Sequence, residues 1–271
     1  MKKLTKDNVL VIGILFCLGI TVLFDVISVP FFGNEKQDFF LGKIFSLGFG
    51  GLGMTLLMRK EGSGLFQKPT NLLFLLPALI VAVDNFQFAS FFAGKMGKIE
   101  AEIFDWVLFA LYCLTTGFFE EGVFRGALFP VLAGKFEKNK KGLWKTVLYS
   151  SLIFGGMHVL NIFSGANVGA TLLQVGYSIL TGGLFAFVLI KTKNILFCAL
   201  THGVYNFAGL LFSAEQGLGS GVVFDFPTAL TMLIVCVGVG IFAIISFMKY
   251  SETERKELYS RLGFGVEVGD E

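Results

Sequence analysis

The sequence predicts an all-α integral membrane protein with about eight transmembrane helices. Of its 271 residues, 54% are hydrophobic and only 15% carry a charge, which differs strongly from the composition of soluble domains. Windows of about 20 residues with few or no charges recur along the chain, as a hydrocarbon core of about 30 Å requires. These observations exclude an ordinary soluble fold, and a net charge of +2 is too small to indicate a nucleic-acid partner.

Eight apolar segments lie between charged or Gly/Pro-containing stretches, and each predicts one helix. In order they lie near 9–32, 39–58, 71–93, 102–134, 146–163, 168–190, 194–213 and 222–248. The first follows MKKLTK as in a signal peptide, but no small-residue cleavage site follows, so we expect a retained span. The fourth would make a helix of about 50 Å, so we expect it to tilt, project beyond the bilayer, or bend near Pro130.

The basic residues favour one side of the membrane. With the N-terminus in the cytosol, all of them fall in cytosolic segments except Arg125, which lies within a span, and four on the outer side: Lys36, Lys43, Lys95 and Lys98. The positive-inside rule therefore predicts that both termini are cytosolic. We expect one polytopic domain over 1–271, with a functional core at about 102–213 and a cytosolic tail at about 250–271 that begins with a short polar helix. The short loops and lysine-rich cytosolic face favour a bacterial plasma membrane.

The cysteines and most intramembrane aspartates predict structural roles. The cysteines lie in apolar runs without CxxC spacing, which favours small buried hydrophobes over a disulfide framework or zinc ribbon; they are Cys17, Cys113, Cys198 and Cys236. Asp84, beside Asn85, predicts a hydrogen-bonded helix contact, whereas Asp25 and Asp105 are expected nearer the outer interface. A transporter or channel would instead line a continuous path with these carboxylates.

The stretch TTGFFEEGVFRG places Glu120, Glu121 and Arg125 inside the fourth span. Unpaired, they would cost roughly 8 to 10 kcal/mol on insertion scales. Glu121 and Arg125 are four residues apart in the favourable order for an ion pair. Glu120 is rotated by about 100° from its neighbour, so it is the carboxylate that Arg125 serves less well. A purely structural ionic cluster between helices is the alternative for all three.

Both histidines of the chain also lie in predicted spans: His158 in FGGMH and His202 in ALTHGVYN. Phe154 precedes His158 by four residues and Asn206 follows His202 by four, so each histidine shares a helical face with a defined neighbour. Counted from the cytosolic lysines, Glu120, His158 and His202 lie at depths of about 22, 20 and 14 Å. The fourth, fifth and seventh helices can therefore place these groups in one cavity.

A carboxylate, two imidazoles and an amide in such a cavity favour the activation of water and the stabilisation of an oxyanion. We expect Glu120 to take a proton from water, His158 to orient that water, and His202 with Asn206 to donate hydrogen bonds to the oxyanion. Glu121, Arg125 and Phe154 would support them. Nothing in the spacing ties a serine or cysteine nucleophile to either histidine. Zinc held by the glutamate and the two histidines is a less favoured alternative because HExxH is absent, so we expect no cofactor.

The ordered motifs EExxxR (Glu120, Glu121, Arg125), FxxxH (Phe154, His158) and HxxxN (His202, Asn206) resemble those of the CPBP family. These are the CAAX protease and bacteriocin-processing intramembrane endopeptidases, also called ABI proteins. The resemblance covers roughly 115–211 and implies an eight-helix membrane fold with a metal-independent glutamate peptidase. It also implies that the first motif glutamate and the FxxxH histidine activate water while the HxxxN pair forms the oxyanion site.

The expected function is hydrolysis of a peptide bond in a membrane-associated or lipidated peptide or protein. The expected partners are membrane lipids, that substrate and, as an open alternative, another membrane protein. A different class of function is also open: a non-catalytic immunity or scaffold protein that binds a peptide or a membrane sensor in the same cavity. The two classes differ in whether biological activity survives the loss of Glu120.

Overall fold

A computed structural model describes residues 5–26, 30–221 and 226–264, which are almost entirely helical. Within these residues the α-helices are α1 (Lys6–Val26), α2 (Glu35–Lys60), α3 (Leu75–Asp84), α4 (Phe88–Phe92), α5 (Ile103–Glu121), α6 (Phe129–Lys135), α7 (Lys140–Met157), α8 (Val168–Thr192), α9 (Ile195–Leu210), α10 (Phe226–Met248) and α11 (Glu252–Arg261). Short 3₁₀ segments cover Leu72–Phe74 and His158–Ser164, and a π-helical segment covers Gly122–Leu128. The all-α fold class is confirmed.

The chain is a multi-pass integral membrane protein. In the described residues, six helical runs are long and apolar enough to cross a membrane, and large aliphatic and aromatic side chains cover their outer faces. The described residues also contain two shorter apolar helices, Leu72–Asp84 and Ile195–Leu210. The number of eight crossing helices and the cytosolic position of both termini stay predictions.

The continuous third helix predicted over 71–93 is wrong. Helix α3 ends at Asp84, and α4 begins only at Phe88 after a left-handed residue, Gln87 (φ 62°). The backbone leaves the helix here because Asn85 turns toward α9, where its side-chain amide donates to the Tyr205 carbonyl at 2.9 Å. Asp84 therefore lies at a helix end rather than in the middle of a span.

The fourth run is one long helix, as expected, but its irregular part precedes Pro130. Helix α5 passes into the π-helical segment Gly122–Leu128 and continues as α6, giving 33 residues from Ile103 to Lys135. Pro130 has no N–H for the Gly126 carbonyl, so the hydrogen-bond register can change in the preceding turn. At its other end, Asp105 caps α5 by accepting from the backbone N–H of Glu102 at 2.8 Å.

The other boundaries follow the predicted segments with small shifts. Helix α1 ends at Val26 instead of continuing to 32, although residues 27–29 and the Asp25 side chain lie outside the described parts. Helix α7 begins six residues before the predicted start at 146 and changes to a 3₁₀ helix at His158. Residues 222–225, at the predicted start of the last span, are also outside the description.

The helices pack so that α5 is central. It lies between α2 and α9, while α7 pairs with α8 and α1 lies against α2. Cys17, Cys113 and Cys198 are buried free thiols, as predicted, whereas the free thiol Cys236 is only partly buried. The expected polar helix of the tail is α11, and residues 265–271 after it are not described.

Helix α11 covers the connection between α8 and α9. Lys191 and Lys193, which we counted among the cytosolic charges, are only 4% and 1% exposed. The Lys193 ammonium pairs with Glu257 of α11 at 3.0 Å, and the Tyr250 hydroxyl donates to the Ile190 carbonyl at 3.0 Å. These contacts fix the point from which α9 starts.

Candidate active site

The two adjacent glutamates end α5 and have different surroundings. The Glu121 side chain is fully buried, whereas that of Glu120 is 26% exposed. The π-helical segment begins with the next residue, and such widened turns are frequent at functional sites. One carboxylate is therefore enclosed by protein and the other is accessible.

Glu121 is the centre of a buried ionic network. Its Oε1 accepts from Arg125 Nη1 at 3.0 Å and from His202 Nδ1 at 2.9 Å. The ion pair predicted between Glu121 and Arg125 is confirmed, and His202 joins it as a third member. The sequence did not indicate that contact, because it crosses between two helices.

Arg125 is held from three sides. Its Nη2 donates to the carbonyl of Gly182 on α8 at 2.7 Å. The guanidinium carbon lies 4.5 Å from the centre of the Phe154 ring and 5.5 Å from that of Phe185, distances at which a cation is attracted to an aromatic face. Phe154, which the sequence predicts to support the site, therefore covers one side of the arginine.

Glycines let the helices approach closely enough to make these contacts. A Cβ atom at Gly117 of α5 would lie 2.6 Å from the Ala199 carbonyl oxygen and 2.7 Å from the Gly203 nitrogen of α9. A Cβ atom at Gly182 would lie 3.1 Å from the Ser151 Cα of α7. Small residues at helix interfaces are the usual way to bring membrane helices together, and here they bring His202 to the glutamates.

His202 lies between the two carboxylates. Its Nδ1 contacts Glu121, and its Nε2 lies 3.6 Å from Glu120 Oε2. The ring stacks on Phe185 with centroids 4.4 Å apart and planes inclined by 21°, so it is held in one orientation. Because the ionised Glu121 can only accept, Nδ1 carries a proton in this contact.

His158 joins the group through Phe154 at the point where α7 changes to a 3₁₀ helix. Its Nδ1 lies 3.1 Å from the Phe154 carbonyl oxygen, which can only accept, so Nδ1 carries the proton. In the neutral ring Nε2 is then an acceptor. The Phe154 ring lies edge-on to both His158 and His202, with centroid distances of 5.5 and 5.9 Å.

Helix α9 also carries Asn206, which is partly buried one turn after His202. Between them, the Tyr205 carbonyl accepts the hydrogen bond from Asn85. A Cβ atom at Gly209 would overlap the Asn85 amide, so this glycine provides the space for the contact. The sequence predicted a helix contact for the neighbouring Asp84 and no role for Asn85, although the position of this amide inside an apolar run was a signal for one.

The structure thus brings Glu120, Glu121, Arg125 and His202 into direct contact, places His158 beside them across Phe154, and leaves Asn206 on the His202 helix. Two buried polar atoms of the network have no partner among the described residues: Glu121 Oε2 and Arg125 Nε. The same part of the chain contains no group of three His, Cys, Asp or Glu side chains arranged to hold a metal ion.

The comparison with protein families identifies the region that contains these residues. Residues 102–208 match the family described as Type II CAAX prenyl endopeptidase Rce1-like, a protease family. This match agrees with the resemblance to the CPBP family. No curated protein and no solved structure matches the chain.

Proposed function

We propose that this chain, whose residues 102–208 match the Rce1-like family, is an intramembrane endopeptidase in which Glu120 activates water. The substrate is a membrane-associated or lipidated peptide or protein. The observation that carries this proposal is the contrast between the two glutamates: Glu121 is fully buried against Arg125 and His202, while Glu120 is 26% exposed beside the same histidine. An accessible carboxylate next to a fixed imidazole is suited to general acid/base work.

In the first step, one proton of a water molecule is transferred to Glu120 and the other forms a hydrogen bond to His158. Glu120 accepts a proton from the water, whose oxygen attacks the carbonyl carbon of the scissile peptide bond. His158 Nε2, an acceptor in the tautomer described above, receives the other hydrogen bond of that water and orients its lone pair. The protonated Glu120 then gives its proton to the leaving amine, so the glutamate returns to its starting state.

His202 stabilises the oxyanion through Nε2, because Nδ1 is already committed to Glu121. Donation from both nitrogens at once requires the doubly protonated form of the ring, and this form is part of the proposal. Asn206 supplies a second donor from the next turn of α9.

The mechanism needs no cofactor, since the chain supplies the base, the water-orienting acceptor and the oxyanion donors. Zinc held by Glu120 and both histidines is the competing chemistry. The proposed location is a bacterial plasma membrane, with lipids surrounding the bundle and the substrate entering from the membrane. A further membrane protein as partner belongs to the alternative function, an immunity or scaffold role without catalysis.

The test uses purified protein with peptides that end in a cysteine followed by three residues, each made with and without a prenyl thioether. Glu120→Gln is expected to lower the rate by about 10² to 10⁴, the range that general acid/base catalysis supplies, without a change in thermal stability. Product masses give the bond that is cleaved. Undiminished cleavage by Glu120→Gln would show that this residue is not the base.

Two further measurements separate the alternatives. A chelator is expected to leave the rate unchanged, whereas an activity lost to the chelator and restored by zinc would replace the water-activation mechanism with a metal-dependent one. In cells, Glu120→Gln is expected to abolish the biological effect of the protein. An effect that survives this substitution supports the immunity or scaffold role.

A further inference from the structure

The end of the bundle that carries the loop between α6 and α7 has a cluster of lysines at the seam of α7 and α10. We call this the α7–α10 rim and define it by Lys141, Lys145, Lys249 and Trp144. The Lys140 ammonium joins the two helices by donating to the Met248 carbonyl at 2.7 Å. Trp144 packs on Phe247 of α10 with ring centroids 4.4 Å apart.

The lysines of the rim lie on the exposed surface of the bundle. Lys141 and Lys145 lie on one face of α7 with Leu148 and Leu152, and all four are exposed. Since the two leucines are suited to contact acyl chains, the two lysines one to two turns before them are expected at the level of the lipid headgroups. Lys249 follows the last residue of α10 and is also exposed. The contacts of Lys140 with Met248 and of Trp144 with Phe247 hold this end of α10 beside the first turns of α7.

Trp144 places the rim at the membrane interface. Its side chain is 38% exposed although it packs on α10, and tryptophan is enriched at the headgroup level. The Lys145 ammonium lies 5.7 Å from the centre of the Phe136 ring, a contact that keeps this long side chain on the outer surface. The rim therefore combines an interfacial aromatic ring with cations.

The charges of the rim remain available for a ligand. In the described residues, the ion pairs at this end use other cations: Lys135 with Asp7, Lys193 and Arg261 with Glu257, and Lys256 with Glu252. None of the three rim lysines pairs with a carboxylate in that part of the chain. The neighbouring Lys138 is oriented elsewhere, with its ammonium 5.2 Å from the Phe264 ring.

We propose that the α7–α10 rim is a binding site for the phosphate headgroup of an anionic phospholipid. The acyl chains of the lipid would lie along the leucines of α7, and its phosphate would contact the three ammonium groups. Basic clusters between membrane helices recognise anionic headgroups in this way, at about 1 kcal/mol for each lysine near the surface. A free phosphate ion offers the same charge but none of the apolar contact.

Trp144 is an internal reporter for this site. The chain has two tryptophans, and Trp106 lies near the opposite end of the continuous run from Ile103 to Lys135, about 40 Å from its lysine end. In a Trp106→Phe background, vesicles of phosphatidylcholine are prepared with equal fractions of brominated phosphatidylglycerol or brominated phosphatidylcholine. Quenching of Trp144 then gives the relative affinity of the rim for the two lipids.

The expected result is stronger quenching by phosphatidylglycerol, with a preference that falls about fivefold for each lysine removed. Lys141→Gln with Lys145→Gln is expected to remove most of it, and quenching by brominated phosphatidylcholine should stay constant if the fold is intact. The matched control, Lys60→Gln with Lys68→Gln, changes the same charge at the same end and should retain the preference.

Three outcomes would overturn the proposal. The first is equal quenching of Trp144 by the two lipids in the parent protein. The second is an equal loss of preference in the control pair, which would show an effect of total charge. The third is displacement of phosphatidylglycerol by inorganic phosphate at constant ionic strength, which would identify a phosphate site instead of a lipid site. Trp106, measured in a Trp144→Phe background, is expected to show no preference.

Discussion

Two regions of this membrane protein bury cations, and they satisfy those cations differently. At the connection of α8 and α9, the Lys191 ammonium donates to the Ser246 carbonyl at 3.1 Å and lies 4.6 and 4.8 Å from the Phe74 and Tyr250 rings. At the candidate active site, Arg125 binds a buried carboxylate that a histidine also contacts. The first cation closes a connection, whereas the second belongs to a set of titratable groups.

The spare hydrogen-bonding capacity of the two regions differs as well. In the active-site network, Glu121 Oε2 and Arg125 Nε have no partner among the described residues. Lys193 contacts both the Glu257 carboxylate at 3.0 Å and the Thr70 hydroxyl at 3.2 Å. Buried polar groups with unused capacity are costly. The Tyr259 hydroxyl of α11 is another such group, so the active-site network is distinguished by the fact that its unused atoms belong to a buried ion pair.

The largest effect on stability is expected from Arg125→Met. Removing this cation leaves the buried Glu121 carboxylate without its arginine partner, which typically costs about 3 to 5 kcal/mol. Denaturant titration of the purified protein in mixed micelles, followed by its tryptophan fluorescence, measures the loss. A change below about 1 kcal/mol would mean that the network does not depend on the arginine.

Asn85→Ala is expected to affect activity more than stability. Loss of its hydrogen bond to the Tyr205 carbonyl costs about 1 kcal/mol of stability. It also removes a contact that holds the part of α9 carrying His202 and Asn206 in place. We expect kcat to fall about tenfold for each 1.4 kcal/mol of lost transition-state stabilisation, with KM little changed.

Gly209→Ala provides the matched control, because its added methyl group would displace the Asn85 amide. If both substitutions act through the same contact, the double variant is expected to be no worse than the more impaired single variant. Fully additive losses of kcat would show that Asn85 and Gly209 act separately.

Lys191→Met should destabilise the protein by only about 1 kcal/mol. Its partners are one carbonyl and two aromatic rings, and methionine keeps most of the apolar stem. The same denaturant titration compares its loss of unfolding free energy with that of Arg125→Met. A cost as large as that of the arginine substitution would remove the distinction between the two regions.

The smallest effect concerns pH and the docking of α11. Burial by itself would raise the pKa of Glu257, but hydrogen bonds and charge from Lys193 and Arg261 outweigh it and hold the pKa below its ordinary value. A lowered folded-state pKa stabilises the protein above the unfolded pKa of about 4.3, and this contribution is lost as pH falls through the folded value.

Acidification below about pH 4 is therefore expected to increase hydrogen exchange in α11 before it affects the helices of the active site. Glu257→Gln should show the raised exchange at neutral pH and little further change on acidification. If that variant kept the acid response of the parent protein, another group would be responsible for it.

The contacts and elements that depend on short spacing along the chain could be predicted from the amino-acid sequence. The apolar segments predicted a helical membrane protein, and the four-residue separation of Glu121 and Arg125 predicted their ion pair, because helix geometry alone places such residues side by side. The motif residues also predicted which helices carry the site. The match of residues 102–208 to a protease family covers the same segment.

The contacts between different helices could not be predicted in this way and are defined by the three-dimensional packing. Three such contacts join residues that are distant in the sequence. The hydrogen bond from His202 to Glu121 spans 81 positions, that from Asn85 to the Tyr205 carbonyl spans 120, and the ion pair of Lys193 with Glu257 spans 64. No periodicity along one helix specifies which face of another it meets. That choice depends on where glycines such as Gly117 and Gly209 allow close approach, and hence on the packing of the whole bundle.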